Sequence, residues 1–411
     1  MANLLFAWEL GGGLGHAGAL KPLAAELQRR GHAATFVLRD LVQTEPLLRE
    51  LPGERLQAPL WTFRTVGVPE PPASLAEILL GHGYLRPQHL RAQLQGWLSA
   101  LRLCAAQALV ADYAPTAVLA ARVLGLPCAT VGTGFFIPPD VQPMPAFRAL
   151  DDGAGRSAAS ETQVLQTVNS VLASFAAAPL ARLAQLFRGD LALLATWPEL
   201  DHCRRGALPA GERWFGPSFV ADAAPAAGPP AAWPAGSGPK VFAYLKTAHP
   251  DHAAVLRALD ATGCRTLCYL PEVAAGKPAP VEAASIAYAP HALSLRDVLP
   301  GCALLVCHAG TATLAQGLLL GVPLLLLPTH AEQYLVAERA AATGAAINAA
   351  AVAQPVDYAV LLRELLDRPA FGAAARAFGA RHAGFTPESQ TRALCDQVEA
   401  LLTTRSRVQP Q

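Results

Sequence analysis

The residues of this chain best equipped for chemistry lie in one segment, 303–333, which reads ALLVCHAGTATLAQGLLLGVPLLLLPTHAEQ. His308, Gly310, Thr311 and Thr313 follow its first apolar run, and Glu332 and Gln333 follow its second. The turn His-Ala-Gly-Thr carries little side-chain bulk, so an anion can reach free backbone N–H groups at the positive end of a helix opening near Thr311. His308 can add a donor to that anion. Glu332 and Gln333 suit hydroxyl groups, since a carboxylate accepts from them and an amide donates or accepts. A sugar carried on a diphosphate meets both demands. The plainer alternative is that His308, Thr311 and Thr313 cap the helix and Gln333 is solvated.

A second histidine, His16, sits in the glycine-rich stretch 9–18, ELGGGLGHAG. An unperturbed imidazole pKa near 6.5 leaves it partly neutral at physiological pH and able to take a hydroxyl proton. The same stretch contains Gly13-x-Gly15-x-x-Gly18, followed at Asp40 by an acidic residue, which is the outline of a dinucleotide-binding fingerprint. An oxidoreductase binding NAD or FAD there would leave 308–333 without a role. His16 as a simple helix cap is the bland alternative.

The elements that must position these groups follow from apolar patterning. Runs 303–307 and 324–327 are short and wholly apolar, as parallel strands buried on both faces are. Between them a helix from Thr311 to Leu320 is predicted to stop at Gly321, with Pro323 beyond. Parallel strands deliver the polar residues to one sheet edge, where ligands of open α/β sheets bind. The pattern recurs at the N-terminus: strand 3–8, glycine turn, helix 20–30, strand 33–38. It recurs again in ALVADYAPTAVLAARVLGLPCATVGTGF, where Asp112 ends a strand and a helix starts near Pro115. Further strands are expected at 191–195, 241–245 and 265–270, and helices at 252–262 and from 357 to the C-terminal stretch 390–402. The segment 164–187, apolar and broken at Pro179, reads as a buried helical pair, with a lipophilic acceptor site or membrane-surface contact as the other option. The small-residue stretch 150–160 reads as mobile. Residues 221–239, ADAAPAAGPPAAWPAGSGP, read as an interdomain linker.

With 411 residues the chain is long enough for two domains, each with its own core. A net charge of +1 implies no electrostatic footprint for nucleic acid. Lysine occurs only at 21, 240, 246 and 277 amid abundant Ala, Gly and Pro, a bias expected of GC-rich, bacterial coding. The eight cysteines form no CxxC pair and read as small buried residues in a reducing compartment. The N-terminal run meets Glu9 without a charged n-region, unlike a signal peptide, and the longest apolar stretch is too short to span a bilayer. A cytoplasmic protein is expected, with contact at the inner membrane face as an option.

The pattern H-x-G-x-x-T-x-x-[E/Q]…G-V-P…P…[D/E]-Q, spread over His308 to Gln333, resembles that of the nucleotide-sugar-dependent glycosyltransferases that include the macrolide and plant UDP-glycosyltransferases. The resemblance implies an α/β fold of the GT-B type, two Rossmann-like domains with parallel sheets facing each other across a cleft. Residues 1–220 would bind the acceptor, 221–239 link, 240–385 bind the donor, and 386–411 cross back to the first domain. It implies an inverting, metal-independent enzyme with no cofactor beyond a UDP- or dTDP-linked sugar, acting on a hydroxyl of a small or lipophilic acceptor. His16, with Gly31-His32 sixteen residues on as in the family, would be the base, oriented by Asp112; Asp112 capping the helix near Pro115 is compatible with that. His308, Gly310, Thr311, Thr313 and Lys246 would hold the diphosphate, Lys246 standing where the family has Gly-Ser. Gln316 would meet the ribose in place of the usual Glu, Glu332 and Gln333 the sugar, and Ala289 and Pro290 the base. The proline of the family's G-H-x-x-P is absent after His16. A nucleotide-sugar epimerase of the same fold and a catalytically silent sugar-nucleotide binder are the remaining alternatives.

Overall fold

The computed structural model describes residues 1–147, 155–209, 212–219 and 232–408. The chain divides into two compact units, residues 1–220 with 386–411, and residues 221–385. Each is built on a six-stranded sheet in which all paired strands are parallel.

In the first unit β1 (Asn3–Trp8), α1 (Gly15–Arg29), β2 (Ala33–Leu38), α2 (Leu41–Leu48) and β3 (Arg55–Gln57) make one half of a doubly wound sheet. A helical excursion, α3 (Leu75–Leu79), a kinked turn Leu80–Tyr84 and α4 (Pro87–Leu103), leads to the other half: β4 (Ala108–Asp112), α5 (Pro115–Leu124), β5 (Cys128–Gly132), α6 (Arg156–Ser174) and β6 (Leu191–Leu194). Their order is β3-β2-β1-β4-β5-β6, so the chain reverses its direction of winding between β1 and β4. That reversal opens a crevice beyond the strand ends, the usual ligand position in such sheets. The central strands are mostly apolar because both faces are covered; α1 buries Leu20, Leu23, Ala24 and Leu27 at helical spacing against them. Pro115 opens α5 and Gly125 closes it in the left-handed conformation, as their types favour.

The second unit repeats the plan with β7 (Lys240–Tyr244), α7 (His252–Ala261), β8 (Arg265–Tyr269), α8 (Pro271–Ala274), β9 (Ile286–Tyr288), α9 (Leu295–Val298), β10 (Leu304–Cys307), α10 (Thr311–Leu319), β11 (Leu324–Leu326), α11 (Ala331–Ala342) and β12 (Ala346–Asn348). The order β12-β11-β10-β7-β8-β9 is the same topology, with its reversal between β7 and β10. Two helices follow, α12 (Tyr358–Asp367) and α13 (Pro369–Arg381), and α14 (Pro387–Val408) then joins the first unit, burying Leu394, Cys395 and Val398 in its core.

Four expectations change. The first helix begins at Gly15, not Leu20, so His16 lies in its first turn and only 9–14 remains loop. The segment 164–187 holds the end of α6 and a short 3-10 turn, Leu183–Phe187, instead of two packed helices. Residues 156–160 open α6, while 148–154 lie outside the described residues. Of the expected linker, 221–231 also lie outside them; Pro234 accepts from Arg265 Nε at 2.7 Å, so the remainder packs on the second unit. Among the described residues no helix is long and apolar enough to cross a membrane.

Candidate active site

Trp8 and Asp112 end β1 and β4 side by side, at the winding reversal. The loop after Trp8 returns His16 to that edge, and His16 Nδ1 lies 3.0 Å from Asp112 Oδ1. A carboxylate accepts, so Nδ1 carries the proton and Nε2 is the basic nitrogen of the neutral ring. Both residues are buried, at 7% and 3% exposure, and the imidazole lies between aromatic rings: Trp8 at 5.3 Å, Phe136 at 4.9 Å and Tyr113 at 6.1 Å between centroids. Asp112 does not cap α5, whose flanking residue Ala114 offers no side-chain bond. That duty falls to Glu9, which accepts from Thr116 N–H at 2.8 Å and from the Thr116 hydroxyl, itself 2.7 Å from Tyr84 OH. Burial pushes the Glu9 carboxyl up to about 7 against the lowering effect of these bonds. Asp40, the acidic residue of the dinucleotide fingerprint, accepts from Gln43 N–H at 2.9 Å and caps α2.

The backbone around the pair is shaped for close approach. Gly11 has φ +82°, and a β-carbon there would stand 2.6 Å from His16 Nε2. Tyr113, directly after Asp112, takes φ +47° without being glycine, and its carbonyl accepts from Leu10 N–H at 2.9 Å, tying the β1 loop to the β4 loop. Beside it an apolar recess is lined by Ala111, Tyr113, Val118, Phe136, Ile137 and Phe187.

The second unit brings its predicted residues to the matching edge. His308 follows β10, Ala309 takes φ +58°, Gly310 precedes the helix, and Thr311, Thr313 and Gln316 sit partly exposed on α10. Thr311 Oγ1 is buried without a hydrogen-bond partner among the described residues, beside the free N–H groups of the first turn. His308 departs from expectation. Its Nδ1 lies 2.8 Å from the Leu327 carbonyl and its Nε2 accepts from Lys246 N–H at 2.8 Å. A carbonyl cannot donate, so the ring is the neutral Nδ1–H tautomer with both nitrogens engaged by backbone. Burial, the largest effect, lowers its pKa and agrees with that state. In this geometry His308 clips the β7 loop to β10 and β11 and has no N–H for an anion.

Lys246 itself is exposed, and Thr247 donates twice to Glu272. Gln333 Oε1 accepts from Thr329 N–H and its hydroxyl, at 2.9 and 2.8 Å, so its carbonyl end is tied to the loop before α11 while its amide remains a donor. Glu332 is half-buried next to it. Of the pair expected at the nucleotide base, Ala289 is 2% exposed and packs inward, and only Pro290 presents surface. Among the described residues no group of three or more His, Cys, Asp or Glu side chains could hold a metal ion.

Glu9, which read as part of the glycine-rich turn, and the aromatic walls Trp8 and Phe136 were not among the residues expected at the site. Nor was His249, in the loop after β7. That ring stacks on His308 at 5.5 Å, and its position past the first strand of a repeated βαβ plan was the available signal.

No protein-family model matches the chain. It is 35% identical over 131 residues to the elloramycin glycosyltransferase ElmGT of Streptomyces olivaceus, a match covering 29% of this chain and 33% of that protein. Among solved structures it is similar to the spinosyn rhamnosyltransferase SpnG in complex with thymidine diphosphate, with TM-score 0.64, 19% identity and 96% and 100% of the two chains covered. It is also similar to the calicheamicin glycosyltransferase CalG4, with TM-score 0.69, 19% identity and coverage of 100% and 99%. Two doubly wound parallel sheets of identical topology, in a chain that superposes on these enzymes end to end, are the GT-B fold.

Proposed function

We propose that the chain is an inverting, metal-independent glycosyltransferase that moves a sugar from a UDP- or dTDP-linked donor to a hydroxyl of a small or lipophilic acceptor. The observation that carries this reading is the buried His16–Asp112 bond at the winding reversal of the first sheet. Asp112 holds the ring in the tautomer with a basic Nε2 and stabilises the imidazolium that forms when that nitrogen takes the acceptor proton. The freed oxygen attacks the anomeric carbon opposite the diphosphate, which inverts it. The departing diphosphate is met by the α10 N-terminal N–H groups, Gly310, Thr311 and Thr313, with Lys246 adding charge. Fixed dipoles there take the role a cation would play. Glu332 and the Gln333 amide would hold sugar hydroxyls, Gln316 the ribose and Pro290 the base. The thymidine diphosphate held by SpnG and the sequence match to ElmGT support this assignment of donor and reaction.

The test is a transfer assay with a panel of nucleotide sugars and lipophilic hydroxyl acceptors, paired with nucleoside diphosphate binding by calorimetry. His16→Ala should cost about 10²- to 10⁴-fold in turnover, the span of general-base catalysis, with donor affinity unchanged. Asp112→Asn should lower turnover with the fold intact. Near-normal turnover of His16→Ala would remove the base assignment, and sugar conversion without any acceptor would favour an epimerase.

A further inference from the structure

The loop joining β7 to α7 holds His249 in a fixed posture beside the turn that opens α10. Its N–H donates to the Lys246 carbonyl at 3.1 Å, and its own carbonyl accepts from His252 N–H at 3.2 Å and faces His252 Nδ1 at 2.7 Å. Its ring nitrogen Nδ1 accepts from Asp251 N–H at 3.1 Å. An acceptor Nδ1 leaves the ring proton on Nε2, the opposite tautomer from His308, on a half-buried ring. The two imidazoles stack 5.5 Å apart with 28° between their planes, which sets the His249 ring against His308, the residue two before the Gly310 that opens α10. His308 has spent both nitrogens on backbone, so of this stacked pair the imidazole N–H belongs to His249.

Resting on the glycosyltransferase reading above, we propose that His249 is a donor-binding residue that gives its Nε2–H to the diphosphate of the nucleotide sugar. It takes the role that the sequence pattern suggested for His308. Charge around the site is mixed. Lys246 adds attraction from the same loop, while Glu272, held by Thr247, opposes an anion, so a neutral, directed donor gains value there over charge alone. Tethering of the loop at both ends of His249 means that little ordering remains to be done on binding.

Calorimetry of UDP and dTDP, with uridine and thymidine as phosphate-free controls, tests this on the full chain. His249→Ala should weaken diphosphate binding by about tenfold or more, the scale of a charge-assisted hydrogen bond, with nucleoside binding and melting temperature unchanged. His249→Gln, whose amide reaches the position of Nε2, should recover most of the loss. Wild-type protein that binds diphosphate while His249→Ala binds it equally well would overturn the assignment and leave the functional reading standing. Equal losses for diphosphate and nucleoside would make His249 a support of the loop and overturn it too. Wild-type protein that binds neither diphosphate would sink the functional reading, and this inference with it.

Discussion

A β-carbon at position 11 would stand 2.6 Å from His16 Nε2 and 3.4 Å from the Tyr113 ring, on a backbone with φ +82°. Gly11→Ala therefore combines a left-handed penalty of about 1–2 kcal/mol with a direct collision against the nitrogen proposed to take the acceptor proton. Because Asp112 holds the other side of the ring at 3.0 Å, the imidazole cannot yield without breaking that bond. Turnover should fall at least about tenfold, since displacement of about 1 Å at a reacting group costs up to two orders of magnitude, while nucleoside diphosphate affinity stays level. Steady-state kinetics with calorimetry checks it, and undiminished turnover would mean that Nε2 is not the reacting atom. The positions of Asp112 at a strand end and of His308 just after one were readable from the sequence, because apolar runs end where polar residues begin. The tautomer of His308 was not, because it depends on Leu327 and Lys246, which only the folded sheet brings to the ring.

At the scale of elements, the first turn of α5 depends on Glu9, a carboxylate from the end of β1 that caps a helix 107 residues away in sequence. The Glu9 pKa, raised by burial from an ordinary 4.5 to about 7, means that the folded state holds this proton more tightly than the unfolded chain. Its stabilising contribution is complete below about pH 4.5 and is lost as pH rises through about 7, a difference of roughly 3 kcal/mol at most. Glu9→Gln keeps an acceptor for Thr116 N–H and a donor for its hydroxyl, so it should remove that slope: relative to wild type, the variant gains stability between pH 5 and pH 8. Urea unfolding at the two pH values measures it, and parallel behaviour of the two proteins would show that Glu9 ionises without cost. Regular elements were legible where composition and burial agree, as in the strand runs and the Gly321 helix stop. The start of α1 was not, because glycines at 11–13, 15 and 18 argue against a helix that packing of Leu20, Leu23 and Leu27 nevertheless extends back to Gly15. Nor was the α2 cap at Asp40, which local spacing alone cannot tell from a ribose ligand.

Across the whole molecule, chain order and compact units do not coincide, because α14 completes the first unit after the second has been built. Leu394 and Val398 are at most 2% exposed in the same core as Leu20, Leu23 and Leu27. Around them Arg30 joins Glu26, Asp396 and Glu399, each at 2.7 Å, and His32 reaches Glu399 at 3.1 Å. Burying each aliphatic side chain is worth about 1.5–3 kcal/mol, and the partly exposed ion pairs add less. Removing 386–411 would thus cost the first unit several kcal/mol and expose its apolar face, a large part of the 5–15 kcal/mol typical of a domain. The second unit loses none of its own core, since its strands and α12 and α13 all precede 386. Truncation after 385 should therefore abolish transfer and lower the first thermal transition, while dTDP or UDP still binds and still raises the transition of the second unit by mass action. Leu394→Ala in the full chain should show a milder form of the same split, a loss of about 2–5 kcal/mol in the first unit with diphosphate affinity intact. Calorimetric scans with and without nucleotide decide it: loss of nucleotide binding in both variants would show that the unit proposed to bind the donor depends on α14 for its own fold.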